Sequence, residues 1–249
     1  MTPPISATPI VAVASGKGGV GKSSIALALA RALTASGVRV GLVDADLSGP
    51  DIPRMVGFRR DVPTASLRIA DFGPHRSDLE AIEVDGMQIA SAGFLMAGTQ
   101  AFSVGERFAD MLLTRLITRT QWNSRDILIV DLPPGTTSIG NALRIADRLA
   151  VILVVTPAEV SHLDSHRLTT VLNHLKVPVL GGIENMAYLS CPSCAHHIEL
   201  HPPTPADRTI WNRGISKLAS LPYRPGAAPT VTDLAPVTTT VRDYLSGDD

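Results

Sequence analysis

Apolar positions along the chain fall into short continuous runs separated by stretches of helical period, the pattern of strands buried on both faces and the helices that cover them. Ile10–Ala14 predicts a first strand; a glycine-rich turn follows, and Ser23–Ala35, rich in Ala and Leu, predicts a helix that Gly37 ends. Val38–Val43 and Met87–Ala92 predict two more strands. Glu106–Thr118 reads as a helix with Phe108, Met111, Leu112 and Leu116 on one face. Arg125–Val130 and Leu149–Val155 are apolar runs of buried-strand type, with a helix predicted over Ser138–Asp147 between them. Val160–Lys176 repeats apolar residues at 160, 163, 168, 171, 172 and 175, an amphipathic helix, and Val177–Ile183 predicts a further strand. Beyond Cys194 repeated prolines break the pattern; Leu218–Leu221 predicts one last strand and Thr238–Leu245 a closing helix. The stretch from Gly57 to Asp85 shows no clear period.

This alternation predicts an α/β fold, a doubly wound and mostly parallel sheet with helices on both faces. No repeat or long linker divides the chain, so residues 1–249 are expected to form a single domain.

The first turn carries candidate chemistry. Gly16-Lys17-Gly18-Gly19-Val20-Gly21-Lys22-Ser23, followed by Ser24, satisfies the Walker A spacing and lies between a strand and a helix, where a phosphate loop must lie. Glycines let the backbone aim N–H groups at phosphate oxygens, and the helix N-terminus adds its dipole. Lys22 is expected to pair with the β and γ phosphates of ATP, and Ser23 to hold Mg²⁺. Asp44 and Asp46 follow the second strand, where open α/β sheets bind ligands. Asp131 ends the strand ILIVD, as a Walker B aspartate does. Any of these aspartates could instead be a cap or turn residue. No Asn-Lys-x-Asp occurs, which favours ATP over GTP.

Composition narrows the classes. Twenty-two Lys and Arg face 23 acids, for a net charge of −1, so no basic surface for nucleic acid is indicated. The N-terminus lacks a signal-peptide pattern and the longest apolar run is too short to span a bilayer; a cytoplasmic, soluble protein with no membrane partner is expected. The two cysteines of the chain, Cys191 and Cys194, sit in one C-x-x-C, which in a reducing compartment reads first as metal or redox chemistry. Two thiolates do not complete a four-ligand site. Cys191 and Cys194 with His197 and His201 could close a Zn²⁺ site in one chain, although the spacing is shorter than in zinc fingers. An inert or redox pair is the third possibility.

The second lysine in KGGVGKS, Lys17, resembles the signature of the deviant Walker A class that includes the MinD, ParA, ArsA and nitrogenase iron proteins. In that class this lysine reaches the partner subunit's nucleotide; the plainer alternative is a solvated loop lysine. DADLSGPDIP resembles the class's switch I and DLPPGT (Asp131–Thr136) its switch II. The resemblance implies Asp46 for positioning the attacking water and Asp44 for the Mg²⁺ shell with Asp131, or the reverse. Asn185 resembles the asparagine that touches adenine, though asparagine is also a turn former.

CPSC placed directly after ENMAY, together with DADLSGPDIP, DLPPGT and VTPAEV, resembles the Mrp (ApbC) family of ATP-binding iron–sulfur carriers over roughly Ile10 to Cys194, with an echo in ASLPYRP. The resemblance implies a homodimer, one [4Fe-4S] cluster bridged by Cys191 and Cys194 of both subunits, apo iron–sulfur proteins as clients, and a slow ATPase acting as a switch. It places the metal-bearing loop at residues 185–214. The chain departs from the family at FSVGERF (Phe102–Phe108) and at HPPTPADRTIWNRG (His201–Gly214), which bears on partner docking and cluster transfer. It also lacks a four-cysteine N-terminal segment, so no second cluster is expected. The alternative from a different class is a MinD- or ParA-type spatial-organising ATPase; the acidic ending VRDYLSGDD does not resemble a membrane-binding helix.

Overall fold

A computed structural model describes residues 8–46, 49–58, 79–95, 106–135, 145–191 and 193–247. Among these residues the strands, in chain order, are β1 (Ile10–Ala14), β2 (Val40–Asp44), β3 (Leu79–Glu80), β4 (Ile82–Val84), β5 (Met87–Ser91), β6 (Thr120–Gln121), β7 (Ile127–Asp131), β8 (Leu149–Val155), β9 (Val179–Glu184), β10 (Tyr188–Ser190), β11 (His197–Glu199) and β12 (Lys217–Ser220). The helices are α1 (Lys22–Ala35), α2 (Ile52–Met55), α3 (Glu106–Thr118), α4 (Glu159–His174) and α5 (Ala235–Ser246).

Eight strands form one sheet in the order β12-β9-β8-β1-β7-β2-β5-β4. Every pairing in it is parallel except β4 with β5, an antiparallel edge. The central strands β1, β7 and β8 are buried along their whole length, which is why their sequences are unbroken apolar runs. One face of the sheet packs Leu112, Leu116, Leu168 and Leu172 of α3 and α4. The other packs Ile25, Leu29 and Leu33 of α1 with Val237, Val241 and Tyr244 of α5. The doubly wound architecture read from the alternation is the one observed. In the register of the central strands Asp44 lies opposite Asp131, at the carboxyl ends where β1 hands over to the glycine-rich turn.

Two helix faces differ from the pattern. In α3 the buried residues are Leu112, Leu113, Leu116 and Ile117, whereas Met111 is exposed; the side chain of Phe108 lies outside the described residues. In α4 Val160 and Leu163 are exposed, as is Leu175 just past its end, and the helix instead buries Ser161, His162, Ser165 and Thr169 beside Leu168 and Leu172. Close approach and hydrogen bonds to backbone are the reasons. A Cβ on Gly16 would lie 2.3 Å from the Asp164 carbonyl carbon, so the phosphate loop and α4 touch backbone to backbone beside Ser165, while Ser161 Oγ accepts from Thr156 N and His162 Nδ1 from Ile210 N. The helix expected over 138–147 falls outside the described residues as far as 144, as does most of the stretch between 57 and 85.

Candidate nucleotide site and cysteine hairpin

Gly21 occupies the N-cap position of α1 with φ +84, and no side chain caps the helix. Its first turn carries no acidic residue either, so the N–H groups that begin α1 remain available to an anion. A side chain at Gly21 would also meet Asn185 Nδ2 at 2.3 Å, which fixes this position as glycine on two grounds. A cavity of about 290 Å³ opens on the turn, lined by Ser15, Lys17 to Ser24, Asp46, Asp51, Met55, Pro134 and Met186.

Of the sequence-derived candidates, Lys17, Gly18, Gly19, Val20, Gly21, Lys22, Ser23, Ser24 and Asp46 line this cavity, and Gly16 lies behind it against α4. Lys22 Nζ donates to Asp131 Oδ1 at 2.5 Å, both side chains being buried. Burial pushes the Asp131 carboxyl above the usual range, and Lys22 and the Ser23 hydroxyl pull it back. Asp131 Oδ2 is buried with no hydrogen-bond partner among the described residues. An unpaired carboxylate oxygen beside the Ser23 hydroxyl is the donor set a hard cation such as Mg²⁺ takes. Asp44 sits deeper. Its Oδ2 accepts from the Ser91 hydroxyl at 2.9 Å and from Ile52 N at 3.3 Å, and its Oδ1 accepts from Asp46 N at 3.3 Å. It does not line the cavity; Asp46, two residues on, does.

Burial, and then the charge of Asp131, raise the Asp44 pKa to about 8. Between the usual carboxylate range and about 8 the native protein therefore holds a proton that the unfolded chain has lost. Stability contributed by this group is greatest at low pH and falls as pH rises, by up to about 1.4 kcal/mol per unit for one proton. Urea denaturation at pH values from about 5 to 8 should show that decline in the native sequence and a shallower one in Asp44→Asn. An unchanged slope in the variant would place the proton elsewhere.

Asn185 does not line the cavity itself. Its Nδ2 donates to Val20 O at 2.9 Å, so the residue read as an adenine contact braces the phosphate loop. Met186, Asp51, Met55 and Pro134 line the cavity and were not among the sequence candidates. Met186 was within reach of the motif, being the next residue after Asn185; Asp51 and Met55 depend on how α2 folds back.

Cys191 and Cys194 lie at the tip of the β10–β11 hairpin, Cys191 half-buried and Cys194 exposed. Cys191 N donates to His196 O and Ala195 N to Cys191 O, both at 2.9 Å, which folds the loop into a tight knuckle. The backbone N–H groups of Ser193 and Cys194, with the Cys194 thiol, hold the Cys191 thiol below its ordinary range. The His197 ring stacks on Tyr188 at 3.9 Å. His201 lines a second cavity of about 250 Å³ with His162, Glu184, Glu199, Trp211 and Lys217. Among the described residues no three His, Cys, Asp or Glu side chains gather as a metal set.

A parallel sheet of this order with an uncapped glycine turn, the Lys22–Asp131 pair and Asp46 at the carboxyl ends of its strands defines a P-loop nucleoside triphosphatase. The sequence model of the NUBPL iron-transfer P-loop NTPases, within the ParA group, matches residues 6–244, and the chain belongs to that family. It is 37% identical over 216 residues to the iron–sulfur cluster carrier protein of Haemophilus influenzae, covering 86% of this chain and 56% of that protein. The chain spans about half the length of several curated relatives it matches. Among solved structures, a nucleotide-binding protein of Archaeoglobus fulgidus in complex with ADP, with Co, superposes with a TM-score of 0.69 at 28% identity, over 96% of this chain and 89% of that one. The septum site-determining protein MinD of Pyrococcus horikoshii, complexed with Mg-ADP, gives 0.62 at 18% identity, over 97% and 98%, a likeness of fold.

Proposed function

We propose that the protein is an ATP-hydrolysing iron–sulfur carrier that holds a [4Fe-4S] cluster between two copies of the chain and delivers it to apo-proteins. The observation that carries this is the cysteine knuckle: two thiols are presented at the surface, one of them lowered towards thiolate, and among the described residues no third His, Cys, Asp or Glu side chain gathers with them. A cluster with four thiolate ligands is completed by a second copy, and soft thiolates select iron–sulfur or zinc over hard cations. The names of the Haemophilus relative and of the matching family agree with this cargo.

At the other site the N–H groups of the Gly16–Gly21 turn would hold the phosphates of ATP, with Lys22 moving from Asp131 to the transferred phosphate. Ser23 and Asp131, with Asp44 behind them, would hold Mg²⁺, which neutralises charge developing on the phosphates. Asp46, at the cavity wall, would orient the attacking water. Lys17 would act on the partner's nucleotide, and turnover would be slow, a switch rather than a metabolic hydrolysis. In this reading residues 1–249 form one P-loop unit, with 185–214 as its metal-bearing loop. The spatial-organising alternative lacks a comparable feature: α5 spends its apolar stripe, Val237, Val241 and Tyr244, in the core, and among the described residues no helix is long and apolar enough to cross a membrane.

Anaerobic reconstitution followed by iron, sulfide and zinc analysis tests the proposal. The expected result is about four iron and four sulfide per two chains, carried by a dimer. Tight zinc at about one per chain, lost in His197→Ala or His201→Ala and indifferent to dimer disruption, would overturn it.

A further inference from the structure

The chain path between the two sites is short and anchored unevenly. β9 ends at Glu184, whose Oε2 accepts from Lys217 Nζ at 2.8 Å and from the Ser220 hydroxyl at 3.2 Å. Its Oε1 lies 3.9 Å from Nε2 of the buried His162, a ring whose Nδ1 accepts from Ile210 N. The end of the strand is therefore fixed to β12 and α4. Asn185, the next residue, crosses to the opposite side: its own N–H donates to Val155 O at 2.7 Å and its side chain braces Val20 O. Met186 then adopts φ +55, a left-handed setting that is strained for a non-glycine residue. Its methyl group stands 3.5 Å from where a Gly21 Cβ would be, inside the nucleotide cavity. Ala187 N donates to Leu221 O and Tyr223 N to Tyr188 O, and Tyr188 opens the hairpin and stacks on His197 across it. Five residues separate Asn185 from Cys191.

We propose that Asn185 and Met186 are positioning residues that couple occupancy of the nucleotide cavity to the setting of the Cys191–Cys194 hairpin. The inference rests on reading the cavity as the ATP site. A nucleotide on the turn meets the Met186 side chain and the Val20–Gly21 backbone that Asn185 holds. With Glu184 tied to β12 and α4, the displacement is taken up at the left-handed Met186 and is carried by Ala187 and Tyr188, with the Leu221–Tyr223 backbone bonded to them, to the root of the hairpin. Packed elements shift between discrete arrangements rather than deforming smoothly, so a small change at Met186 resets the knuckle. Reciprocity requires that loading the thiols alter nucleotide affinity by the same factor.

The full chain with reduced thiols and no cluster tests this. Alkylation of Cys191 and Cys194 by iodoacetamide, and hydrogen exchange of the amides from Tyr188 to Leu200, are compared without nucleotide and with saturating MgADP or a non-hydrolysable Mg-ATP analogue. Calorimetry confirms saturation for each protein. The native sequence should show a change of about fivefold or more in alkylation rate and in exchange protection, the lower end of ordinary coupling. Asn185→Ala and Met186→Gly, each measured at its own saturation so that lost affinity does not enter, should bring both ratios close to one. Met186→Leu, which keeps an apolar group of similar size in the cavity, should restore them. Bound nucleotide that leaves alkylation and exchange unchanged in the native sequence would overturn the coupling alone, as would full ratios in both Asn185→Ala and Met186→Gly. Absence of nucleotide binding in the native sequence would overturn the ATP reading and the coupling with it.

Discussion

Cys191→Ala and Cys194→Ala should each leave the reconstituted protein without the visible absorbance of a thiolate-bound cluster, and retained iron should fall at least about tenfold. A symmetric dimer loses two of four ligands from one substitution in the chain. Neither residue supports the core, Cys194 being exposed and Cys191 half-buried, so the loss cannot be ascribed to unfolding. Neither lines the nucleotide cavity, and calorimetry should still detect nucleotide binding. His197→Ala and His201→Ala should keep the cluster, since one ring is stacked on Tyr188 and the other faces the second cavity. Cluster retention in either cysteine variant would refute the bridged site.

Lys22→Ala and Asp131→Asn should each lower ATP turnover by at least about a hundredfold, the usual effect of removing one charge that positions phosphate or metal. The two differ in their structural consequences. Lys22→Ala strands the buried Asp131 carboxyl without its cation, and a buried pair broken on one side costs about 3–5 kcal/mol. Asp131 can relieve much of that by taking up a proton, because burial already raises its pKa. Asp131→Asn leaves the Lys22 ammonium with a neutral acceptor of the same shape and should fold more securely. Thermal melts run beside the kinetics separate lost stability from lost chemistry. Near-native turnover in a folded variant of either kind would remove that residue from the active site.

The sequence by itself determined the class of the sheet, doubly wound and mostly parallel, but neither its strand order nor its antiparallel edge β4. β1, β7 and β8 are buried on both faces, and a strand in that position has no polar alternation to confuse with anything else. The phosphate turn was legible for a similar reason: its work is done by backbone N–H groups, and glycine is the residue type that backbone geometry selects. The C-x-x-C was equally plain, because its thiols and its knuckle lie within six residues of chain.

Tertiary structure decided what depends on approach between distant segments. The buried face of α4 could not be read from hydrophobic period, since Ser165 lies against Gly16 and Ser161 and His162 serve backbone N–H groups of Thr156 and Ile210. Asn185 could be flagged from its motif, but its hold on Val20 O exists only because β9 ends beside the turn. His201 lines the second cavity with His162 and Trp211 because residues 204–211 pack on the start of α4, a long-range packing that no local spacing encodes. Local rules name the groups that can do chemistry; the packing of elements far apart in sequence selects which of them meet.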